Sequence, residues 1–317
     1  MALSLPKIGI LSIGDMGMGI AKLLVSKGFS VATNGEGRSE ATIARARSAN
    51  VEVLKSDVHL VQSRPFIFSV APPRDALSIA QRIINATNAA KLEKPLYFTD
   101  LNAVSPATCK QIAGMFEEAR SPVRFLDGCI IGAPPKLKTA GAGDAGAWSV
   151  PNMPTSGRYP ISEACPELAE TLNMRHISPE IGAASGLKMC FATTTKGFLG
   201  LAIQAFTTAA KLGVVDELRS EMREAVPGLL EFAETTVPQV PPKSYRWVRE
   251  MEEISDTLRA EGGFENDNDV FLGMAELYRT MAEDPVLGAE KIGERKRGTT
   301  VDDLAAALAE GLASKKH

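Results

Sequence analysis

An α/β half built on a parallel sheet, followed by an all-helical half, is the architecture this sequence predicts. Three observations carry the prediction. From residue 7 to about residue 130, short apolar runs alternate with helix-like segments, the signature of βαβ units. Residues 132–160 then turn rich in Gly and Pro. From Gly182 the alternation stops, and Ser185 to about Leu212 reads as one long apolar helix.

The strands predicted in order are Lys7–Ile13, Phe29–Thr33, Val51–Leu54, Pro65–Val70, Leu96–Asp100 and Val123–Ile130. Ile8–Ile13 and Phe66–Val70 are apolar on both faces, as parallel strands covered by helices must be. The helices between them are Met16–Lys27, Glu40–Ala49, Asp75–Ala89 and Pro106–Ala119. Ser105 and Pro106 suit the N-cap and first turn of the last of these. Within the Gly/Pro-rich stretch, Gly132-Ala-Pro-Pro, Gly141-Ala-Gly-Asp-Ala-Gly146 and Pro151, Pro154 and Pro160 imply turns around one short strand, Ala147–Val150. A helix near Ser162–Leu172 and a strand near Met174–Ser178 follow. The remaining helices are Val215–Met222, Gly228–Thr236, Ser244–Ala260, Asp269–Ala282 and Val301–Leu312. The expected domains are therefore 1–181, of Rossmann type, and 182–317, all-α, joined by a long interdomain helix. The segment Phe198–Phe206 is too apolar for a solvated helix, which places it in a core or against a second subunit and predicts a homodimer.

Composition narrows the function classes. With 317 residues, 44% hydrophobic and 23% charged, the chain is long enough for two ordinary globular domains. A net charge of −3 without a basic tract argues against nucleic acid as a partner. Cys109, Cys129, Cys165 and Cys190 are isolated and His59, His176 and His317 are scattered, so neither a metal site nor a disulfide framework is expected. The apolar run Gly197–Phe206 falls well short of the ~18 residues of a membrane span. Strand sequence begins within a few residues of Met1, leaving no room for a signal peptide, and the expected location is the cytoplasm.

Chemistry enters with the stretch Lys7–Ile20. Ile13, Gly14, Asp15, Met16 and Gly17 join a strand to a helix, the layout that sets backbone N–H groups and a helix N-terminus against a pyrophosphate. Ser12 stands where the first glycine of G-x-G-x-x-G normally sits, a strained match that leaves a plain turn, or a register on Gly14, Gly17 and Gly19, as the alternative. The second strand ends in Thr33-Asn-Gly-Glu-Gly-Arg-Ser39. Asn34, Arg38 and Ser39 suit a 2′-phosphate and so NADP(H) more than NAD, with Glu36 as the counter-signal. Val70, Ala71 and Pro72 close the fourth strand, and Asn102 follows the fifth, all at the carboxyl edge where ligands of open α/β sheets bind. Loop geometry alone explains such prolines equally well.

Downstream, Ile181-Gly-Ala-Ala-Ser-Gly-Leu-Lys188 opens the long helix. A lysine in a first turn opposes the helix dipole, which predicts a depressed pKa suited to proton exchange near neutral pH. Ala192, Thr195 and Leu199 share its face and leave a small-residue pocket beside it. A lysine snorkelling from a buried helix is the equally weighted structural reading.

Together, Gly14-Asp-Met16-Gly17, Asn34–Ser39, Val70-Ala-Pro72 and Gly182–Lys188 resemble the pattern of the β-hydroxyacid dehydrogenase and 6-phosphogluconate dehydrogenase superfamily. Asp100-Leu-Asn-Ala-Val-Ser-Pro106, Leu187-Lys188-Met189 and Arg246-Trp-Val-Arg-Glu-Met251 resemble a branch with its own helical C-terminal domain. The resemblance covers essentially the whole chain. It implies an NADP-dependent oxidoreductase acting on a carbonyl or hydroxyl group, with Lys188 as general acid/base. It also implies substrate contacts at Gly132, Ala133 and Phe191, to which helical spacing from Lys188 adds Thr195. Two positions depart from the family: its Ser-Gly-Gly reads Ile131-Gly132-Ala133, and its asparagine one turn past the lysine reads Phe191. The lost hydroxyl and amide favour a bulkier or less polar substrate, while Gly132 and Ala133 still offer backbone N–H groups. With Ser12, these departures keep two alternatives open: imine reduction on the same scaffold, and a catalytically silent NADP(H)-binding or sensor protein.

Overall fold

The computed structural model describes residues 5–138, 147–264, 268–291 and 293–314. It divides into two compact units, Met1–Met189 and Cys190–His317.

The first unit runs β1 (Ile8–Leu11), α1 (Asp15–Ser26), β2 (Val31–Asn34), α2 (Glu40–Ser48), β3 (Glu52–Leu54), α3 (Asp57–Ser63), β4 (Phe66–Ser69), α4 (Ala76–Ala90), β5 (Leu96–Asp100), α5 (Pro106–Glu118) and β6 (Val123–Gly128). It continues through β7 (Lys136–Leu137), β8 (Trp148–Ser149), β9 (Met153–Ser156), α6 (Ile161–Ala164), α7 (Pro166–Thr171) and β10 (Met174–Ser178) to the start of α8 (Ala183–Leu212). One sheet has the order β10-β9-β6-β5-β4-β1-β2-β3; β7 and β8 form a small antiparallel pair. All neighbours in the large sheet are parallel except β6 and β9. The order reverses between β1 and β4, and this switch point is where doubly wound sheets bind their ligands.

Side-chain alternation along the central strands builds two cores. Ile8, Ile10, Phe66 and Phe68 pack with Ile20, Leu23 and Leu24 of α1 on one face. Leu11, Ile67 and Phe98 pack with Ile83 of α4 and Ile112 and Phe116 of α5 on the other. Both faces of the strands are dry, as their unbroken apolar runs require.

Three local readings are corrected. Helix α3 is absent from the sequence prediction; its seven residues are too few for a periodic signal, although Ser56 caps it by accepting from His59 N. The expected helix Ser162–Leu172 is broken at Cys165, because Pro166 drives the preceding residue into an extended conformation, φ −156° and ψ 88°. Inside the stretch read as turns lies β9, fully buried, whose composition Met-Pro-Thr-Ser hides it from any apolar pattern. Gly141–Gly146 of the same stretch lies outside the described residues.

The second unit contains the remainder of α8 with α9 (Val215–Ala225), α10 (Pro227–Thr236), α11 (Ser244–Ala260), α12 (Phe271–Ala282) and α13 (Val301–Ser314). Glycine lets α12 close on α8: a Cβ at Gly197 would meet Phe271 at 2.9 Å, and one at Gly200 would meet the Met274 sulfur at 2.4 Å. Trp247 and Tyr278 meet edge to face at 5.2 Å, and the Tyr278 hydroxyl donates to the Lys196 carbonyl at 2.7 Å. The Lys196 ammonium lies 4.8 Å over the Trp247 ring and pairs with Glu250. The motif Arg246–Met251 thus builds the core of this unit. In the apolar segment of α8, Leu199, Ile203 and Phe206 are buried, whereas Leu201 is 57% exposed.

Candidate functional site

The glycine turn connects β1 to α1 at the switch point. Gly14 is the N-cap of α1, with extended backbone and no side-chain cap, so the first N–H groups of the helix, from Asp15, Met16 and Gly17, lack a side-chain acceptor. A Cβ on Gly14 would meet nothing within 4 Å, which leaves the approach to these N–H groups open. Gly17 is the opposite case, since its Cβ would lie 2.1 Å from the Ser12 carbonyl oxygen. Ser12 itself adopts φ 74°, a left-handed conformation that favours glycine, and this is the physical content of the imperfect glycine fingerprint. Ile13 is buried under the turn and Asp15 is exposed on the first turn of α1. An open, uncapped helix N-terminus behind a tight turn fits a pyrophosphate.

At the end of β2 a shallow pocket is lined by Ser12, Ile13, Thr33, Asn34, Gly35, Arg38, Thr42, Ile43, Ala46 and Val53. Arg38 on its rim supplies a cation and Thr42 a hydroxyl. Ser39 caps α2, its oxygen accepting from Thr42 N at 3.3 Å and lying 3.0 Å from Thr42 Oγ1. Asn34 is 5% exposed and its amide is already engaged. Asn34 Nδ2 donates to Asp57 Oδ1 at 2.6 Å, and Glu36 N donates to Asn34 Oδ1 at 2.8 Å. Arg82 in turn holds Asp57 through Nε at 2.9 Å and Nη2 at 3.0 Å. Asn34 therefore shapes the loop that carries Arg38, and Arg82 neutralises the carboxylate beside it. Thr42, Asp57 and Arg82 escaped sequence reasoning; Thr42 lies in the first turn of α2, three residues after the Ser39 cap, the single local signal available.

Asn102 acts similarly. It is 3% exposed, accepts from Ala71 N at 2.6 Å, and donates to Asp100 Oδ2 at 2.8 Å and Ser69 Oγ at 3.0 Å. With both ends of its amide used, it braces the Val70-Ala71-Pro72 loop after β4, where Val70 N donates to Leu11 O at 3.0 Å.

Lys188 lies in the same unit as this sheet. Because α8 begins at Ala183, the lysine belongs to its second turn, a correction to the first-turn placement. Its Nζ donates to the Ile130 carbonyl at 2.6 Å, just beyond the carboxyl end of β6. Burial lowers its pKa from the ordinary 10.5, with Cys129 as a smaller opposing influence; desolvation, not the helix end, is the cause. The neighbouring Cys129 thiol is pushed up to about 12, chiefly by burial, and stays protonated. Gly132 and Ala133 follow Ile130 on the same strand exit; both are exposed, and Gly132 has φ 134°, which requires glycine. Phe191 and Thr195 belong to the second unit. The Thr195 hydroxyl donates to the Phe191 carbonyl one turn back at 3.0 Å, and Phe191 is 43% exposed. Among the described residues, no group of three or more His, Cys, Asp or Glu side chains could hold a metal ion, and no helix is long and apolar enough to cross a membrane.

The fold has counterparts among known proteins. Residues 7–92, β1 to just past α4, match the family described as NADP oxidoreductase, coenzyme F420-dependent. Residues 209–281 match a domain of unknown function, DUF1932. An uncharacterized 28.5 kDa protein encoded in the 7S RNA 5′ region of Methanothermus fervidus is 28% identical over 219 residues, 69% of this chain and 76% of that one. A solved conserved protein of unknown function, described as structurally similar to 3-hydroxyacid dehydrogenases, superposes with a TM-score of 0.61 at 25% identity, covering 90% of this chain and 100% of the other. The 3-hydroxyisobutyrate dehydrogenase of Mycobacterium tuberculosis superposes with a TM-score of 0.67 at 18% identity, over 96% of this chain and 99% of that one, a likeness of fold. Residues 7–92 thus match an NADP oxidoreductase domain and residues 209–281 a DUF1932 domain, and the doubly wound half followed by a helical half is the fold of the 3-hydroxyisobutyrate dehydrogenase structure.

Proposed function

We propose that this protein is an NADP-dependent oxidoreductase acting on a carbonyl or hydroxyl group, with Lys188 as its general acid/base. The observation that carries the reading is the Lys188 ammonium, desolvated and held 2.6 Å from the Ile130 carbonyl at the carboxyl edge of the sheet that bears the glycine turn. A bound nicotinamide supplies or accepts the hydride. The chain's own residues do the rest. The N-terminus of α1 receives the pyrophosphate, and Arg38, Ser39 and Thr42 receive the 2′-phosphate that distinguishes NADP from NAD. Lys188 gives a proton from Nζ to the developing alkoxide in reduction and takes it back in oxidation. Burial lowers the pKa of the amine, which makes its proton easier to release. Backbone N–H groups of Gly132 and Ala133 suit an acidic group on the substrate, and Ile131 beside them favours an apolar substituent.

Lys188→Met tests the assignment. It should leave NADPH binding, followed by nicotinamide fluorescence, unchanged and lower turnover by about 10²–10⁴-fold. Turnover is sought in a panel of β-hydroxy acids, their keto forms and cyclic imines. Full turnover in the variant removes the lysine from the mechanism. Tight NADPH binding with no conversion across the panel would favour a cofactor-sensing protein. The exposed apolar residues of α8, Leu201 at 57% and Leu212 at 71%, support a homodimer in which a second copy covers this face.

A further inference from the structure

The network that anchors the start of α8 has no counterpart in the sequence reading. Asp127, the fifth residue of β6, is fully buried, and its carboxylate is saturated with hydrogen bonds. Oδ2 accepts from Gly182 N at 2.9 Å, Ala184 N at 3.1 Å and Ser185 N at 3.1 Å, the first free N–H groups of α8. It also accepts from Ser156 Oγ of β9 at 2.9 Å, whose oxygen receives Ala184 N at 3.1 Å. Oδ1 accepts from Cys109 Sγ at 3.2 Å and from Ser185 Oγ. Cys109 and Ser185 are also within 2.9 Å of each other, and burial with the adjacent carboxylate keeps the thiol protonated. A side chain 55 residues upstream thus performs the capping that a residue at the helix start normally performs.

The same strand exit holds both ends of the arrangement. Asp127 grips the first turn of α8, and three residues later the Ile130 carbonyl receives the lysine that α8 carries in its second turn. We infer that Asp127 is a positioning residue for Lys188, fixing the start of α8 so that the amine stands at the Ile130 carbonyl. The bonds to the carboxylate are buried out of water, where charge-assisted hydrogen bonds are strongest. A helix is stiff over one turn, so a shift of its cap is passed on to the amine. Displacement of a catalytic group by about 1 Å costs on the order of 10²-fold in rate. Asp127 touches no reacting atom in this account and acts through the lysine. As a catalytic claim the inference rests on the general acid/base role of Lys188 proposed above; as a structural claim it does not.

The test separates the two. In the full-length protein, Asp127→Asn keeps the shape of the side chain but removes the charge and sets an amide N–H₂ against donors. It should keep NADPH affinity within about 2-fold and lower kcat by about 10–100-fold, with less effect on KM. In a Lys188→Met background the same change should cost less than about 2-fold, because the group it positions is gone. Equal losses in both backgrounds, or unchanged kcat in folded Asp127→Asn protein, overturn the inference.

A second readout needs no substrate. Lysines are dimethylated reductively with ¹³C-formaldehyde, the Lys188 resonance is assigned by its absence in Lys188→Met, and its pH titration is followed. Cys129 is the titratable neighbour, and with a pKa of about 12 it stays neutral through the relevant range. Asp127→Asn should move the midpoint upward, toward that of a solvated lysine, as the amine leaves its buried seat. An unchanged midpoint overturns the positioning claim, whether or not Lys188 proves catalytic. If Asp127→Asn does not fold, Ser156→Ala removes one donor and leaves the carboxylate in place. It should shift the midpoint in the same direction by less, and no shift counts equally against the inference.

Discussion

The Ser12 carbonyl oxygen occupies the space where a Cβ on Gly17 would stand, 2.1 Å away. The clash is with backbone, so no side-chain rotation relieves it. Gly17→Ala should therefore cost about 1–3 kcal/mol of stability in urea unfolding and weaken NADPH binding by opening the turn. Ser12→Gly should do the reverse: with φ 74° no longer borne by a side chain, stability should stay level or rise by about 1 kcal/mol. A marked loss in Ser12→Gly would mean that the hydroxyl, not the turn, is what the protein uses.

Cofactor choice is expected to lie in Arg38 and in the ion pair behind Asn34. Arg38→Ala should weaken NADPH by about 10–100-fold and leave NADH nearly unaffected, as loss of a charge-assisted bond to a phosphate predicts. Arg82→Ala acts one step back. It strips Asp57 of its partner, so an unneutralised carboxylate faces the pocket through Asn34. The NADPH-to-NADH affinity ratio should fall in this variant too, though less than for Arg38→Ala. Fluorescence titration with both nucleotides checks each case.

Burial of Lys188 sets a pH signature. Its pKa is lower in the folded protein than the ordinary 10.5. Between those two values the unfolded chain binds more protons, so stability rises with pH across that window. Below that window the cost of burying the ammonium opposes folding. Lys188→Met should thus be more stable than the wild type near neutrality, with the advantage shrinking as pH approaches 10.5. Denaturant melts at pH 7 and pH 10 decide this, and an equal difference at both would locate the amine in water.

The exposed side chains of α8 predict an interface. Leu201→Glu places a charge on a face that a second copy is proposed to cover, at a position 57% exposed in the single chain. Sedimentation velocity at micromolar concentration should show a dimer for the wild type and a monomer for the variant. A monomeric wild type removes the proposal.

The sequence by itself determined the order and type of most elements. Leu96–Asp100, Met174–Ser178 and Ser244–Ala260 end where their composition says they should, since alternation, apolar runs and capping are properties of neighbouring residues. It also marked candidate residues one at a time: the glycine turn, Asn34 to Ser39, Asn102 and Lys188. What those residues touch was decided only by the tertiary structure. Asn34 is engaged by Asp57, 23 residues away, and Asn102 by Ala71, 31 away. Asp127 caps α8 by accepting from Gly182 N, 55 residues later, and β9 enters the sheet beside β6 despite a strand sequence with little apolar character. Local sequence encodes backbone preference, which acts over a few residues. Hydrogen-bond partners and burial depend on which distant segments the packed core brings together, and no local pattern records that.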